Sequence, residues 1–532
     1  MTRLVLINGV PGAGKTTRLI TDFDLLIRQK QSVIIASKTL APIEEIAKRR
    51  NIKAKSFLLR TFEGFATSAC YHYDVIDRKQ ILNLKKYNVY KYLYNLAKKY
   101  NLSTKGLSEY LNLGYFEDLE TISSNNIVTY LNIASRIVNE HPYDFKKIVE
   151  SSEKLIEILE FYQLEHSSNF VSTFQDFFNS FITIPYEKED VFHYIHPKLL
   201  ALKHKIDIFK IFKKEEKLIV DYLLVDEAQN ISNLDIALIN LSEKKEIRFY
   251  GDFLQNLLRF AGMSYLSLKK LNFDSKIYLN KTHRFGYGIA KFVNKFLRFK
   301  PAEIDINVQI LSEKIDGVFK FITKNKFVEL CRKLVLNNEQ VVILCRRRLD
   351  VERITKLLRN LRFYVLNDFE EEKIFDEIAE VILNNDISKL KDIRNKFAEE
   401  VYEKINRKFV QKRLDNFLNN VSRNESGNVF EKIIEEEYKN TNLKKYKKLL
   451  EIIRMKRKAF HKLPVFVTTI HKFQGKEADN VILYYLKSRM SDYIEEYASV
   501  YVGITRAKKL MVYVYDGENK YNKLFFEKLF VV

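Results

Sequence analysis

The sequence predicts an α/β protein with two domains, each built on a parallel sheet and each carrying a mainly helical insertion. One observation is a set of short apolar runs such as LVLIN (Leu4 to Asn8) and VVILC (Val341 to Cys345), which are typical of strands buried in parallel sheets. The other observation is that these runs lie in two groups, whereas helical patterns fill residues 71–217 and 369–463. A chain of 532 residues is long enough for several structural units.

These patterns divide the chain into four parts. Residues 1–70 and 196–265 form the first parallel-sheet domain, and residues 71–195 form its insertion. Residues 266–370 and 464–532 form the second, and residues 371–463 form its insertion. The later apolar runs are YLLV (Tyr222 to Val225), IRFY (Ile247 to Tyr250), KIYL (Lys276 to Leu279), VFVTTI (Val465 to Ile470), VILYYL (Val481 to Leu486) and LMVYVY (Leu510 to Tyr515).

The composition indicates a polyanionic partner. Lys and Arg total 90 against 68 Asp and Glu, which gives a formal charge of +22. Such an excess favours nucleic acid, because cations that neutralise phosphates release condensed counterions, although a solvated lysine-rich surface is the alternative. Three cysteines without a CxxC spacing exclude a disulfide framework and a cysteine-ligated metal centre. No apolar run reaches the ~18 residues that span a bilayer, so we expect a soluble, cytoplasmic protein with no membrane partner.

The first motif with chemical meaning follows LVLIN directly and precedes a helical stretch. It fits G-x-x-x-x-G-K-[ST], a loop whose backbone N–H groups bind phosphates. Lys15 would supply positive charge to the β- and γ-phosphates, and the Thr16 hydroxyl would ligate Mg²⁺. The predicted nucleotide-binding residues are Gly9, Val10, Pro11, Gly12, Ala13, Gly14, Lys15, Thr16 and Thr17.

Two further strand ends carry polar groups. Asp226, which begins DEAQN, would hold Mg²⁺ together with Thr16, and Glu227 would orient and deprotonate an attacking water. Adjacent carboxylates favour hydrolysis over phosphoryl transfer to a metabolite, although a solvated helix start is the alternative. In FYGDFLQ, Gln255 would bond the γ-phosphate and lose that bond after hydrolysis.

Together, these and later motifs resemble superfamily 1 helicases, most closely the UvrD/Rep-like group. The resemblance implies two RecA-like motor domains that use ATP with Mg²⁺. The motifs that carry it, in chain order, are GVPGAGKTT, ASKTLAPIEEIAKR (Ala36 to Arg49), RTFEGFA (Arg60 to Ala66), VDEAQN, GDFLQNLLRFAG (Gly251 to Gly262), LNKTHRFGYGIAKFVNKF (Leu279 to Phe296), TTIHKFQGKEADNVIL (Thr468 to Leu483) and YVGITRAKKLMVY (Tyr501 to Tyr513).

The resemblance implies roles at the ATP site. Arg284 and Arg506 match arginine fingers from the second motor domain, which would place the ATP site between two domains. Glu477 matches the carboxylate that bonds the ribose. His283 stands where the family has a base-stacking tyrosine, and no upstream glutamine motif precedes Gly9, so ATP and other nucleoside triphosphates stay open as alternatives.

The same resemblance implies contacts with nucleic acid. Thr61 and Phe62 match a motif that lies along single-stranded DNA, and His471 matches a residue near that strand. Phe260 matches an aromatic stacking position. A core position for Phe260 and a helix-capping role for His471 are the alternatives.

Two basic stretches lie in the insertions. Arg78 to Tyr100 interleaves Lys with Tyr, which fits either base stacking or tyrosines that pack on neighbouring elements. Leu443 to Lys462 holds nine cations against one acid, which favours a phosphate-contacting helix over a solvated face.

The function expected from the sequence is an ATP-dependent helicase for replication, recombination or repair. As a monomer it would translocate on single-stranded DNA, 3′ to 5′, and unwind duplexes. The resemblance favours the 3′-to-5′ direction. The opposite direction stays open, because the QGKEAD segment also resembles helicases that move that way. A nucleic-acid-stimulated clamp that does not separate strands is the alternative, and RNA stays possible as the substrate. A nucleotide kinase would require Glu227, Gln255, Arg284 and Arg506 all to be incidental.

The charge excess predicts that binding depends on salt. We expect affinity for a single-stranded polynucleotide to fall about 10³-fold or more between roughly 50 and 200 mM salt, because phosphate contacts release counterions. Fluorescence anisotropy with a labelled oligonucleotide measures this dependence. A flat plot of log affinity against log salt would contradict the use of the excess charge in strand binding.

Overall fold

The structure is a computed structural model that describes residues 2–50, 58–107, 110–111, 124–161, 164, 167–213, 216–218, 220–264, 266–304, 308–337, 339–361, 363, 365–367, 465–484 and 493–515. Within these ranges, two six-stranded sheets organise the chain. We call the part around the first sheet the first lobe and the part around the other sheet the second lobe.

The strands of the first half of the chain alternate with helices. They are β1 (Arg3–Gly9), β2 (Val33–Ser37), β3 (Leu59–Thr61), β4 (Ile211–Lys213), β5 (Glu216–Leu218), β6 (Tyr222–Asp226), β7 (Glu246–Gly251) and β8 (Ser275–Leu279). The first sheet has the order β3-β2-β6-β7-β1-β8, with all strands parallel. The short strands β4 and β5 form a separate antiparallel pair.

Helices of the first lobe and of its insertion follow the same chain order. They are α1 (Lys15–Arg28), α2 (Leu40–Arg50), α3 (Phe62–His72), α4 (Arg78–Asn83), α5 (Lys86–Lys99), α6 (Ile127–Glu140), α7 (Phe145–Glu150), α8 (Ser152–Phe161), α9 (Ser168–Phe178), α10 (Ile184–Lys188), α11 (His196–Lys203), α12 (Asn233–Asn240) and α13 (Leu266–Lys269). A π-helical turn, Asn179–Thr183, joins α9 to α10. Side-chain caps set several of the starts, as at α12, where Ser232 and Asp235 form a capping box.

The second lobe repeats the plan. Its strands are β9 (Lys281–Thr282), β10 (Leu311–Ser312), β11 (Val318–Thr323), β12 (Val341–Cys345), β13 (Val365–Asn367), β14 (Val465–Thr469), β15 (Ala478–Tyr484) and β16 (Ala507–Tyr515), and its helices are α14 (Tyr287–Leu297), α15 (Lys324–Leu336), α16 (Arg348–Asn360) and α17 (Tyr493–Ile504). The second sheet is parallel in the order β11-β16-β15-β12-β14-β13, and β9 pairs with β10 apart from it. The predicted α/β class with parallel sheets is confirmed.

Successive side chains of a strand point to opposite faces of its sheet, so each sheet has an apolar core on both faces. In the first sheet, Val5 and Ile35 pack with α1 and α2, whereas Leu6 and Ile34 face the core shared with the insertion. Both faces are apolar because helices cover both sides, as parallel sheets require.

One strand lies in a different sheet from the one that the sequence assigned. Residues 266–370 were expected in the second domain, yet β8 pairs with β1 and completes the first sheet. An apolar run identifies a strand without identifying its neighbour, so the pattern alone did not reveal this pairing. The other domain ranges stay a prediction, and residues 371–463, with the basic stretch Leu443 to Lys462, lie outside the described residues.

The first basic stretch forms α4 and α5. Tyr90 and Tyr94 are buried beside Val89 and Leu93, and the hydroxyl of Tyr92 donates to the Ser180 carbonyl at 3.1 Å. These tyrosines therefore pack on neighbouring elements, which favours the packing alternative over a stacking surface.

Within the described residues, no helix is long and apolar enough to cross a membrane.

Insertion helix α6 packs against the first lobe at Gly262. This glycine has φ +74°, and a Cβ added there would lie 2.8 Å from the Arg136 carbonyl oxygen. Beside it, the Asn139 side-chain amide donates to the Ala261 carbonyl at 2.9 Å. The close approach of the two backbones thus requires a residue without a side chain.

We expect Gly262→Ala to lower the thermal unfolding midpoint clearly. Left-handed strain costs on the order of 1–3 kcal/mol, and the overlap with Arg136 adds to it. Gly475→Ala is the matched control, since Gly475 has φ +81° but no atom of the described residues within 4 Å of an added Cβ. Equal midpoints for the two variants would contradict the tight contact between α6 and Gly262.

Candidate nucleotide site

The loop after β1 forms the base of the site. Gly12 and Gly14 have φ values of +75° and +77°, which glycine adopts without strain, and α1 begins directly after them. The Ala13 N–H donates to the Val10 carbonyl at 3.0 Å and closes the turn. The first N–H groups of α1 have no acceptor within the helix, so they are available to an anion at this end.

Lys15 folds back over this loop. Its ammonium donates to the Gly9 carbonyl at 2.8 Å and to the Val10 carbonyl at 3.2 Å. Burial lowers the pKa of Lys15, and nearby Asp252 and Glu227 oppose that shift. The cation thus lies among carboxylates at the end of the loop, where phosphate oxygens could replace the two carbonyls.

Asp226 and Glu227 stand at the end of β6. Burial raises the pKa of Asp226 to about 7, and the neighbouring Glu227 carboxylate adds to the rise. Glu227 has φ +50°, and its carboxylate accepts from the side-chain amide of Gln229. Glu227 thus adopts a left-handed backbone conformation directly after the last residue of β6.

The residues predicted to hold Mg²⁺ fit that ion. The buried Asp226 carboxylate and the Thr16 hydroxyl are hard oxygen donors, which Mg²⁺ prefers. A cation would also offset the burial and the repulsion from Glu227 that together raise the pKa of Asp226. When bound, the ion would neutralise charge on the phosphates.

Gln255 lies in the turn after β7 and contacts both lobes. Its amide N–H donates to Asp252 Oδ2 at 2.7 Å, and its Oε1 accepts from Arg506 Nη2 at 2.7 Å. The Tyr501 hydroxyl donates to the same Asp252 oxygen at 3.4 Å. The two bonds fix the orientation of the Gln255 amide toward the second lobe.

Arg506 is almost fully buried between α17 and β16, at 1% exposure. Besides Gln255, it donates to the Val502 carbonyl at 3.0 Å and to the Lys476 carbonyl at 3.4 Å. Burial and, to a smaller extent, the nearby Arg284 guanidinium lower its pKa to about 9, so the guanidinium stays charged at neutral pH. The second lobe thus delivers a positive charge to Gln255 in the first lobe.

Arg284 approaches the loop from β9. Its Nε donates to Glu477 Oε2 at 2.9 Å and its Nη1 to the Thr505 carbonyl at 3.1 Å. The preceding residues touch the phosphate loop, because the Thr282 hydroxyl donates to the Pro11 carbonyl at 2.7 Å. Arg284 therefore lies where the chain passes from β8 of the first sheet into the second lobe.

Glu477 and His283 flank this arginine. Although burial opposes ionisation, Lys508 and Arg284 lower the pKa of Glu477. The backbone N–H of His283 donates to the Gly12 carbonyl at 2.9 Å, and His283 is exposed. Contacts of these residues with ribose and base stay a prediction.

The predicted nucleic-acid residues are less accessible than expected. Phe62 is fully buried and packs edge-on against Phe209, with centroids 5.8 Å apart, so in this conformation it is a core residue. The Thr61 hydroxyl caps α3 by accepting from the Gly64 N–H at 3.1 Å. The apolar side chain at position 62 suits the core as well as a base, which is why the motif did not distinguish them.

Phe260 and His471 meet across the lobe boundary. Both are 3% exposed, and their rings lie edge to face with centroids 6.1 Å apart. Burial lowers the pKa of His471 well below its usual value, and Arg346 contributes. The imidazole is therefore neutral, and the core alternative describes Phe260 in this conformation.

Two contributors, Gln229 and Ser37, were not predicted. The Gln229 side chain joins two motifs, since its oxygen accepts from the Asp252 N–H at 3.1 Å while its amide donates to Glu227. Its place in DEAQN could have identified it. Among the described residues, the buried Ser37 hydroxyl has no hydrogen-bond partner, and Ser37 is in register with Asp226.

Comparisons with known proteins agree with this geometry. Residues 1–261 match an AAA domain, and residues 387–515 match the viral superfamily 1 RNA helicase core domain. The chain therefore contains superfamily 1 helicase-type P-loop domains, whereas membership of the UvrD/Rep-like group is not supported by these matches.

Among solved structures, the chain resembles that described as "The structure of PRRSV helicase", with 10% sequence identity and a TM-score of 0.32. The likeness covers 97% of this chain and 53% of that chain, so this chain spans about half the length of that protein. Among curated proteins, none matches this sequence.

We expect Arg284→Ala and Arg506→Ala to lower kcat about 10³-fold or more while nucleotide affinity changes little, because a guanidinium acts chiefly on transition-state charge. Steady-state hydrolysis and equilibrium binding of a fluorescent nucleotide separate the two quantities. Lys15→Ala and Glu227→Gln, which we expect to abolish ATP hydrolysis, serve as reference variants. Parallel losses of kcat and affinity would contradict the finger role.

Proposed function

We propose that this chain is an ATP-driven motor that translocates along single-stranded nucleic acid and unwinds duplexes. The observation that carries the proposal is the bond from Arg506 in the second lobe to Gln255 in the first. Gln255 is predicted to contact the γ-phosphate, so the bond connects the state of the nucleotide to the relative position of the lobes.

The chemistry follows from the positions of the charged groups. Lys15 would bind the β- and γ-phosphates, and Glu227 would orient the attacking water and accept its proton. Arg284 and Arg506 would stabilise charge on the transferred phosphoryl group. Release of the γ-phosphate would leave Gln255 with Asp252 and Arg506 alone, which would change the contact between the lobes.

Coupling between the lobes supports a motor rather than a simple hydrolase. The Thr282 hydroxyl donates to the Pro11 carbonyl at 2.7 Å, and the Gln474 amide donates to the Gln255 carbonyl at 3.3 Å, so several contacts cross the boundary. Opening and closing of this cleft in each cycle would move one strand-binding surface relative to the other. The +22 charge supports a nucleic acid as the track.

The substrate has two candidates. The motifs that resemble the UvrD/Rep-like group support DNA, with movement from 3′ to 5′ in replication, recombination or repair. The match of residues 387–515 to a viral superfamily 1 RNA helicase core domain favours RNA as the second candidate.

The deciding experiment uses duplexes of DNA and of RNA that carry either a 3′ or a 5′ single-stranded tail. We expect ATP hydrolysis to rise with each tail of the preferred nucleic acid, and strand separation only with the 3′ tail. Glu227→Gln is the control, because it should bind tailed duplexes without separating them.

Other outcomes distinguish the alternatives. Stimulated hydrolysis without strand separation on any duplex would replace the motor by a clamp or remodeller. Separation of the RNA duplexes alone would assign RNA as the substrate, and hydrolysis that no polynucleotide stimulates would contradict the proposal altogether.

A further inference from the structure

Four buried charges form a cluster behind the DEAQN motif. The Lys198 ammonium lies 2.9 Å from Asp235 Oδ1 and 3.1 Å from Glu63 Oε1. The Lys38 ammonium lies 3.2 Å from Asp235 Oδ2 and 3.3 Å from the same Glu63 oxygen. We call Lys38, Glu63, Lys198 and Asp235 the four-charge cluster; its formal charges sum to zero.

The cluster is shielded from water except at one corner. The side chains of Lys38, Lys198 and Asp235 are 7%, 2% and 0% exposed, whereas that of Glu63 is 22% exposed. Despite burial, the two lysines hold the pKa of Asp235 below its usual value. Glu63 is thus the member that a ligand on the surface could reach or displace.

The four residues come from elements that meet at the carboxyl edge of the first sheet. Lys38 follows Ser37, which is in register with Asp226 on the adjacent strand. Asp235 lies in the first turn of α12, directly after DEAQN, and accepts from the Ser232 N–H at 2.9 Å. Glu63 follows Thr61 and Phe62 at the start of α3, which is the segment predicted to lie along the strand.

The free-energy cost of separating buried opposite charges makes the four-charge cluster rigid. A buried charge that loses its partner is strongly destabilising, so the members cannot separate independently. A displacement of Glu63 must be followed by the lysines, and they can follow only if Asp235 and the start of α12 move as well. The loop between β6 and α12 carries Glu227 and Gln229, so the displacement would reach the hydrolytic residues.

We propose that the four-charge cluster couples nucleic-acid binding at the start of α3 to ATP hydrolysis at the DEAQN loop. Its members are positioning residues that adjust Glu227 without touching the nucleotide. The inference rests on the proposed function, because it presupposes hydrolysis that responds to a polynucleotide.

A second buried ion pair provides a matched control. Lys244 lies 3.4 Å from Asp207, with side chains 2% and 6% exposed, in the same lobe. Lys244 lies just before β7, at the opposite edge of the sheet from DEAQN. Lys244→Met therefore removes an equally buried cation from an ion pair that includes no residue of α3 or of DEAQN.

The experiment compares Glu63→Gln, Lys198→Met, the double variant Glu63→Gln/Lys198→Met and Lys244→Met with the wild-type protein. For each we measure ATP hydrolysis without polynucleotide, hydrolysis with saturating poly(dT) or poly(U), and the thermal unfolding midpoint. The double variant restores charge balance, because it leaves Lys38 with Asp235. Its midpoint should therefore exceed that of Lys198→Met.

We expect the three cluster variants to keep their basal rate and to lose stimulation about 5-fold or more. Lys244→Met should lower the midpoint and keep stimulation. The decisive result is the double variant, in which stability should recover while stimulation does not. If Lys198→Met fails to fold, Glu63→Gln and the double variant decide the question.

Two results would overturn the inference. One is normal stimulation in folded cluster variants, and the other is recovery of stimulation together with stability in the double variant, which would assign the cluster a purely structural role. A wild-type protein that no polynucleotide stimulates would instead refute the proposed function, and the inference with it.

Discussion

The buried guanidinium of Arg506 is the interaction on which the relation of the two lobes depends. A cation removed from water must be surrounded by acceptors, and Arg506 finds two carbonyls in its own lobe and the Gln255 oxygen in the other. Gln255 is held in turn by Asp252, which follows the strand beside β1. Separation of the lobes would remove one acceptor from a buried charge, so lobe position and the contents of the nucleotide site are energetically linked.

The two sheets have the same construction, but they present opposite edges to this site. In the first lobe, the phosphate loop, DEAQN and the Gln255 turn all follow the carboxyl ends of β1, β6 and β7. In the second lobe, Glu477 and Arg506 stand just before the adjacent strands β15 and β16, with Ala478 paired to Ala507. The first lobe thus supplies N–H groups and carboxylates, while the second supplies a carboxylate and a guanidinium that the fold holds side by side.

Local motifs predicted the parts of this site that depend on short stretches of chain. The phosphate loop, DEAQN and the fold class follow from residue types and spacings within about ten residues, because strand, turn and helix signals are local. The sheet that contains β8, and the burial of Phe62, depend on partners far along the chain, and no local pattern encodes them. The same holds for the four-charge cluster, since Lys38 and Asp235 meet across 197 positions.

The insertion also contributes to the site, which its helical pattern alone did not reveal. Helix α6 reaches the turn that carries Phe260 through the bond from Asn139 to Ala261, and its last carbonyl, that of Glu140, accepts from Asn233 at 2.8 Å. Asn233 opens α12, the helix that Asp235 ties to the four-charge cluster. The insertion and the cluster therefore hold the same helix start from two sides, and a movement of α12 would require both to yield. This double attachment makes the segment after DEAQN the part of the first lobe where signals from the insertion, from α3 and from the nucleotide would converge.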